Sequence, residues 1–349
     1  QEDSFPASGT SRFSDIAASS ADDVWAVGAQ DLDDDGSGRP LAAHWDGQEW
    51  TDEPAPEEAG ELKTVEATDS GEVLAVADMP NEKSDRLYSW DGSGWSPLPE
   101  FDEAGVSLLS VTAPSSEEVW VAGAIAGDEK DSHFIQRWDG QSWSSAEIPA
   151  ADGEFNWISE VDGVAADDLW AVGFTNPDKD QPVRSAVPHY LHWNGEEWRH
   201  VPTPDGQVGF IGQMTPFASD DAIAVGYAST HDDGEYRHRP TSYHWDGEAW
   251  SEVETPKPDG EYGMLWNVAP DGQGGAWTVG TDTGDGARPY FARWDGSEWS
   301  LVPAEGELAD VSGLANGLTN VPGTTDMLAA GQIGDFSGAE DNLLARYSE

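Results

Sequence analysis

The sequence predicts an all-β fold: a seven-bladed β-propeller with four antiparallel strands per blade, in which an N-terminal strand closes the last blade. Three observations carry this. A Trp-flanked hairpin occurs six times along the 349 residues, at spacings of 45 to 55. About twenty residues before each hairpin lies a short, nearly continuous apolar run. A seventh, incomplete copy ends the chain, and the N-terminal residues carry what it lacks. A period of this length is that of a propeller blade.

The hairpins read Trp45-Asp46-Gly47 with Trp50, Trp90-Asp91-Gly92 with Trp95, and Trp138-Asp139-Gly140 with Trp143. The rest are Trp193-Asn194-Gly195 with Trp198, Trp245-Asp246-Gly247 with Trp250, and Trp294-Asp295-Gly296 with Trp299. Asp-Gly and Asn-Gly suit a tight hairpin turn because both residues tolerate positive φ. Strand alternation places the two Trp of each copy on one sheet face, so each hairpin offers paired indoles to a neighbouring sheet.

The apolar runs are Val24–Gly28, Val73–Ala77, Val119–Gly123, Leu169–Gly173, Ala222–Gly226 and Ala276–Gly280. Such runs belong to strands covered on both faces. Each is preceded by a shorter strand and a turn rich in Ser, Asp and Glu, such as Ser115–Glu118. The unit is therefore a four-stranded meander repeated radially. In the seventh copy Met327–Gly331 matches the apolar run and Arg346-Tyr347 matches His44-Trp45, after which the outermost strand is missing. Residues 1–6 are predicted to supply it, with Phe5 as an aromatic plug, which removes the exposed edges of an open sheet. The chain thus reads as one domain over 1–349, with blades near 12–56, 62–100, 107–150, 157–204, 210–257, 264–304, and 310–349 plus 1–6.

Charge narrows the partners. Sixty-eight Asp and Glu oppose sixteen Lys and Arg, for a formal net charge of −52. A surface this anionic does not bind nucleic acid, which needs cations against its phosphates. It suits solubility and a monomeric state at high salt, or attraction to a basic partner. No stretch approaches the ~20 apolar residues of a membrane span, so no membrane insertion is expected. There is no Cys, hence no disulfide or thiolate metal site. The first residue is Gln1, from which a removed secretion signal and an extracellular or cell-surface location are expected.

Meander connections alternate between two ends of each blade. The tight turns share one end; the long connections Ala29–Pro40, Thr175–Pro188 and Ser229–Pro240 share the other with the crossovers between blades. Variable loops on a rigid scaffold are the usual place for function. Sixteen of the eighteen Trp belong to the repeat, and the exceptions, Trp157 and Trp266, lie at crossovers. Phe155, Phe210 and Tyr262 occupy comparable positions. Such aromatics either plug the central channel as core or stack on sugar rings, with nearby carboxylates accepting from hydroxyls.

Other chemistry is weakly signalled. Asp31-Leu32-Asp33-Asp34-Asp35-Gly36 opens like a calcium loop, so Asp31, Asp33 and Asp35 are calcium candidates, but Arg39 and Ala42 stand where the closing ligands belong. No other cofactor is implied. His189 with His192 lacks a third zinc ligand, and His231 with His238 sits in a long loop. A basic residue precedes the hairpin aromatic in six copies (His44, Arg137, His192, His244, Arg293 and Arg346), with Ser89 as the exception. In so acidic a chain it is expected to pair with a repeat Asp. There is no nucleophile elbow, phosphate loop or His-Glu-x-x-His motif, and 68 carboxylates provide no means of choosing a catalytic pair. The chain is expected not to be an enzyme.

The segments Ala21–Gly28 and His44–Trp50, recurring throughout, resemble the Trp-rich propeller repeats of proteins exported by actinobacteria. The resemblance spans essentially the whole chain. Its departures are Leu74 and Ile223 for the blade Trp and Tyr347 for the hairpin Trp. Some propellers of this kind are lectin-like, which implies a carbohydrate-binding protein acting through the long-loop face. The alternatives are a protein-interaction scaffold of a secreted or surface assembly, and a glycan-active hydrolase or lyase. The expected partner is accordingly a glycan or a protein.

Overall fold

The computed structural model describes residues 2–3, 5, 7–68, 70–115, 118–126, 132–149, 155–176, 186–204, 207, 209–232, 235–256, 262–283, 287–305, 308–309, 311–335 and 338–348. Among them lie seven four-stranded antiparallel sheets, the blade count the repeat predicts. Six are meanders in chain order, for instance Ser11–Ser20, Asp23–Gln30, Arg39–Trp45 and Trp50–Asp52 in the first. The seventh contains Gly313–Asn320, Met327–Asp335, Gly338–Tyr347 and, as its outer strand, Glu2–Asp3. Glu2 faces Ala345 and Asp3 faces Leu344. The N-terminal closure expected from the incomplete seventh copy is therefore present. Phe5 follows it into the core, 5% exposed and 5.7 Å from Phe13.

The sheets fall into two compact units, residues 1–98 with 256–349, and residues 99–255. The first holds sheets one, two, six and seven; the second holds sheets three, four and five. Within each unit, apolar residues of neighbouring sheets pack face to face. Trp25, Val27 and Ala42 of the first sheet meet Leu62, Val65 and Tyr88 of the second. Trp120 and Ile135 of the third sheet meet Ile158, Leu191 and Trp198 of the fourth. The apolar runs are the second strands, and residues such as Val24, Ala26 and Val27 are all but inaccessible, as strands covered on both faces must be.

The glycine ending most apolar runs has a steric cause. Every innermost strand carries a bulge, as between Ile158 and Glu160 or Ile211 and Gln213. The bulge pushes a carbonyl toward the facing residue: a Cβ on Gly226 would lie 1.9 Å from the Phe210 oxygen, and one on Gly173 2.0 Å from that of Trp157. At these two positions a Cβ does not fit unless the facing backbone shifts. In the second sheet Ala77 holds the equivalent place, opposite Leu62.

The hairpins are four-residue turns in which the two Trp face each other, as Trp45 faces Trp50. Gly47 adopts φ 91°, and Asp46 Oδ1 accepts from the amides of Gln48 and Glu49 at 2.9 Å each. Those amides hold the Asp46 carboxyl below its ordinary pKa.

Of two segments expected as loops, one is strand at its two ends and the other is largely strand. Ala29 and Gln30 pair with Pro40 and Arg39, leaving a shorter turn. Ser229–Pro240 is a hairpin extension in which Ser229 pairs with His238 and Thr230 with Arg237. Polar and aromatic residues mask such extensions, because a hairpin projecting beyond the core needs no apolar alternation. Most of the third long connection, residues 177–185, lies outside the described residues.

Candidate functional site

Of the six basic residues that precede a hairpin aromatic, five are bound to an Asp as expected and Arg137 to a Glu. His44 lies 2.8 Å from Asp23, His192 2.6 Å from Asp168 and His244 2.8 Å from Asp221. Arg137 pairs with Glu118 at 2.8 Å, Arg293 with Asp271 at 3.3 Å, and Arg346 with Asp326. In the first sheet Asp23 also accepts from the Trp25 indole at 3.0 Å, while the His44 ring stacks 4.6 Å from that indole. These acid–base pairs orient the core indoles and leave the basic residues occupied structurally.

A different group gathers at the long-loop end of the 99–255 unit. Trp157 near the start of strand Phe155–Ala165 is the cross-strand partner of Phe174, with ring centroids 6.3 Å apart and 16° between planes. Phe174 meets Phe210 edge-on at 4.6 Å, and Phe210 stacks on Tyr227 at 5.2 Å and 27°. Tyr227 then meets His238 edge-on at 5.1 Å, whose Nδ1 lies 2.8 Å from Ser229 Oγ. All five rings are half-buried. Burial raises the Tyr227 hydroxyl pKa and lowers that of His238. Two of the predicted residues, Trp157 and Phe210, are thus joined through Phe174 into one aromatic row, extended by Tyr227 and His238.

The other candidates are placed separately. Phe155 opens its strand opposite Asn176, and its side chain lies outside the described residues. Tyr262 and Trp266 belong to the other unit, where both are half-buried. Trp266 donates its indole N–H to Thr281 Oγ1 at 2.9 Å. Phe174 and Tyr227 were overlooked by sequence reasoning because each follows the apolar run directly and reads as its continuation. The signal was their place opposite the crossover aromatics once the bulge register is counted.

The carboxylates of the calcium-like segment have protein partners. Asp31 Oδ2 accepts from Arg39 Nε at 3.0 Å, Asp33 Oδ1 from the Ser37 amide at 3.1 Å, and Asp35 Oδ1 from the same amide at 3.0 Å. The Arg39 guanidinium and Ser8 hold Asp31 below its ordinary pKa. Among the described residues no group of three or more His, Asp or Glu is arranged to hold a metal. With Asp31 held by Arg39, thermal melting is expected to be unchanged by millimolar calcium or by a chelator; a rise with calcium that Asp33→Asn removes would show that this segment binds the cation. His189 and His192 point apart: His192 binds Asp168, whereas His189 stacks between His133 and His200, 5.1 Å from each.

One carboxyl in this unit is raised above its ordinary pKa. Asp162, next to the exposed Val164 on the fourth sheet's innermost strand, is pushed up to about 6 by burial, against which the Gly163 amide at 2.7 Å works only partly.

No family model matches the chain, and no curated protein matches its sequence. Solved structures do. The structure titled "YCF48 bound to D1 peptide" is similar at a TM-score of 0.61 and 14% identity, over 100% of this chain and 97% of that one. An ulvan lyase of polysaccharide lyase family PL25 is similar at a TM-score of 0.58 and 11% identity, over 99% and 98%. The α-L-arabinofuranosidase Arb93A of Fusarium graminearum, solved with an iminosugar inhibitor, is similar at a TM-score of 0.50 and 12% identity, over 81% and 91%. Two of these three are glycan-active enzymes, which overturns the expectation that this chain is not an enzyme and leaves such a role open. At such identities the likeness shows the fold: this chain is a seven-bladed β-propeller, an architecture shared by binding proteins and glycan-active enzymes.

Proposed function

We propose that the protein binds carbohydrate, outside the cell or at its surface, through the long-loop end of the 99–255 unit. The observation that carries this reading is the row Trp157–Phe174–Phe210–Tyr227, whose rings are held by one another and remain partly open to solvent. Flat apolar rings fixed in place suit the C–H faces of pyranose sugars, and little side-chain entropy is lost on contact. Polar groups at the same end, such as the Ser229–His238 pair, supply hydroxyl partners. The repeat's likeness to exported lectin-like propellers supports the same reading.

The test is a glycan array followed by calorimetry on the best ligand. Trp157→Ala and Phe210→Ala are each expected to weaken binding about tenfold or more, since one aromatic contact is worth ~1 kcal/mol beyond the area it buries. Melting curves control for folding. A blank array, or binding indifferent to both substitutions, rejects the reading. Incubating the wild type with the ligand polysaccharide and assaying for reducing ends or unsaturated products shows whether binding leads to cleavage, with Asp162→Asn as the control for a catalytic acid.

A further inference from the structure

The face of the third sheet that carries its paired indoles also carries a buried amide. Two residues before the hairpin aromatic, the other six copies hold Ala43, Tyr88, Leu191, Tyr243, Ala292 and Ala345, whereas the third holds Gln136. Strand alternation puts Gln136 on the side of Trp138, and the register sets it opposite Ser145 just as Trp138 is opposite Trp143. Gln136 is 3% exposed. Its Nε2 donates to Glu103 Oε2 at 2.8 Å and to Ser145 Oγ at 3.3 Å, and Ser145 in turn donates to Glu103 Oε1 at 3.3 Å. Its Oε1 is buried with no hydrogen-bond partner among the described residues. A buried acceptor without a donor carries its full desolvation cost, which makes this oxygen a place for a ligand's donor.

The amide forms part of the wall of a cavity of about 350 Å³, the size of a small-molecule site. Trp138, Trp143 and the carboxyl groups of Glu100, Asp102 and Glu103 line it as well. The crossover bearing these acids is fixed against the second indole: Trp143 donates its N–H to the Pro99 carbonyl at 2.8 Å and lies 4.8 Å from the Phe101 ring. No basic side chain is among the described residues that line the cavity. Arg137 belongs to the opposite sheet face, where Glu118 holds it at 2.8 Å. Among the described residues no three carboxylates are arranged to hold a metal. Acids, indole faces and an unpaired amide oxygen together suit an organic cation that brings both N–H donors and methylene groups. We propose that this cavity binds a protonated primary alkylamine. Its ammonium donates to Gln136 Oε1 and the carboxylates, and its chain lies against the indoles. A quaternary ammonium has no N–H and leaves Gln136 Oε1 unpaired. The site uses no member of the aromatic row, so it stands or falls independently of the carbohydrate reading.

Calorimetry of the full chain with diaminobutane, acetyl-lysine methylamide and tetramethylammonium tests this at physiological ionic strength, where attraction to distant surface charge is screened beyond about 8 Å. At least one of the primary amines is expected to bind about tenfold or more tightly than tetramethylammonium. The tighter of the two identifies the source as a free amine or a protein lysine. Gln136→Leu and, separately, Glu100→Gln with Asp102→Asn are each expected to weaken that binding about tenfold. The acidic pair is exposed, so its double variant keeps the test intact even where Gln136→Leu lowers the melting temperature. Glu248→Gln with Glu298→Gln removes the same charge from two exposed hairpins elsewhere and is expected to leave binding unchanged. No binding, equal binding of tetramethylammonium, or an equal loss from the distant pair overturns the proposal.

Discussion

Acidification from pH 7 to pH 4 is expected to destabilise the protein through two buried imidazoles, and a His133→Leu/His189→Leu double variant is expected to lose much less stability over the same range. His189 is 4% exposed and stacks between His133 and His200; the Nε2 atoms of His133 and His189 are buried with no hydrogen-bond partner among the described residues. Burial, and then the charges of its two neighbours, lower His189 to about 3, and burial lowers His133 to about 4. In the unfolded chain both titrate near 6.5. Between those values the unfolded state binds more protons than the native one, so stability falls with pH, beginning near 6.5 and continuing to the native pKa values. By pH 4 the loss from the pair is on the order of 4 kcal/mol after allowing for the partial exposure of His133. Asp162 acts oppositely: with its native carboxyl raised to about 6, it gains stability as the pH falls from 6 toward the unfolded value. The comparison isolates the imidazoles, because Asp162 and every other carboxylate titrate alike in both proteins. Chemical denaturation at each pH measures the difference; parallel losses in wild type and double variant would refute it.

The second large effect lies at the ring closure. Phe5→Ala is expected to cost about 3 to 5 kcal/mol, the usual range for emptying a buried aromatic site, which for a chain of this size lowers the melting temperature by roughly 5 °C. Phe5 packs with Phe13, Ile16, Leu328 and Leu344, joining the first sheet to the seventh, and its carbonyl accepts from Asn342 Nδ2 at 3.1 Å. Deleting residues 1–6 goes further, because it also exposes the edge of strand Gly338–Tyr347, a template for pairing with another chain. Self-association of the deletion variant in sedimentation, alongside an earlier melt than that of Phe5→Ala, is the expected pattern. A deletion variant that melts with the wild type and stays monomeric would show that the closure contributes nothing.

Sequence reasoning reached the blade count, the strand order within a blade, the facing Trp pairs and the acid–base pairs because each depends on short-range patterns repeated many times. An Asp-Gly turn dictates which residues face each other across it, and alternation dictates which side they share. The same reasoning missed Phe174 and Tyr227, whose position opposite Trp157 and Phe210 depends on a bulge that hydropathy does not reveal. It also mistook Ser229–Pro240 for a loop, because hairpins beyond the core carry no apolar signal.

By itself, then, the sequence determined the repeat unit and its closure: turn chemistry, strand period and the burial of indoles are local and add up along the chain. Tertiary structure alone decided which half-buried rings form a row and which two histidines lose their solvent. Those outcomes arise where side chains from different sheets meet, 36 residues apart for Phe174 and Phe210 and 56 apart for His133 and His189. Packing at such distances is set by three-dimensional proximity, for which no pattern along the chain stands in.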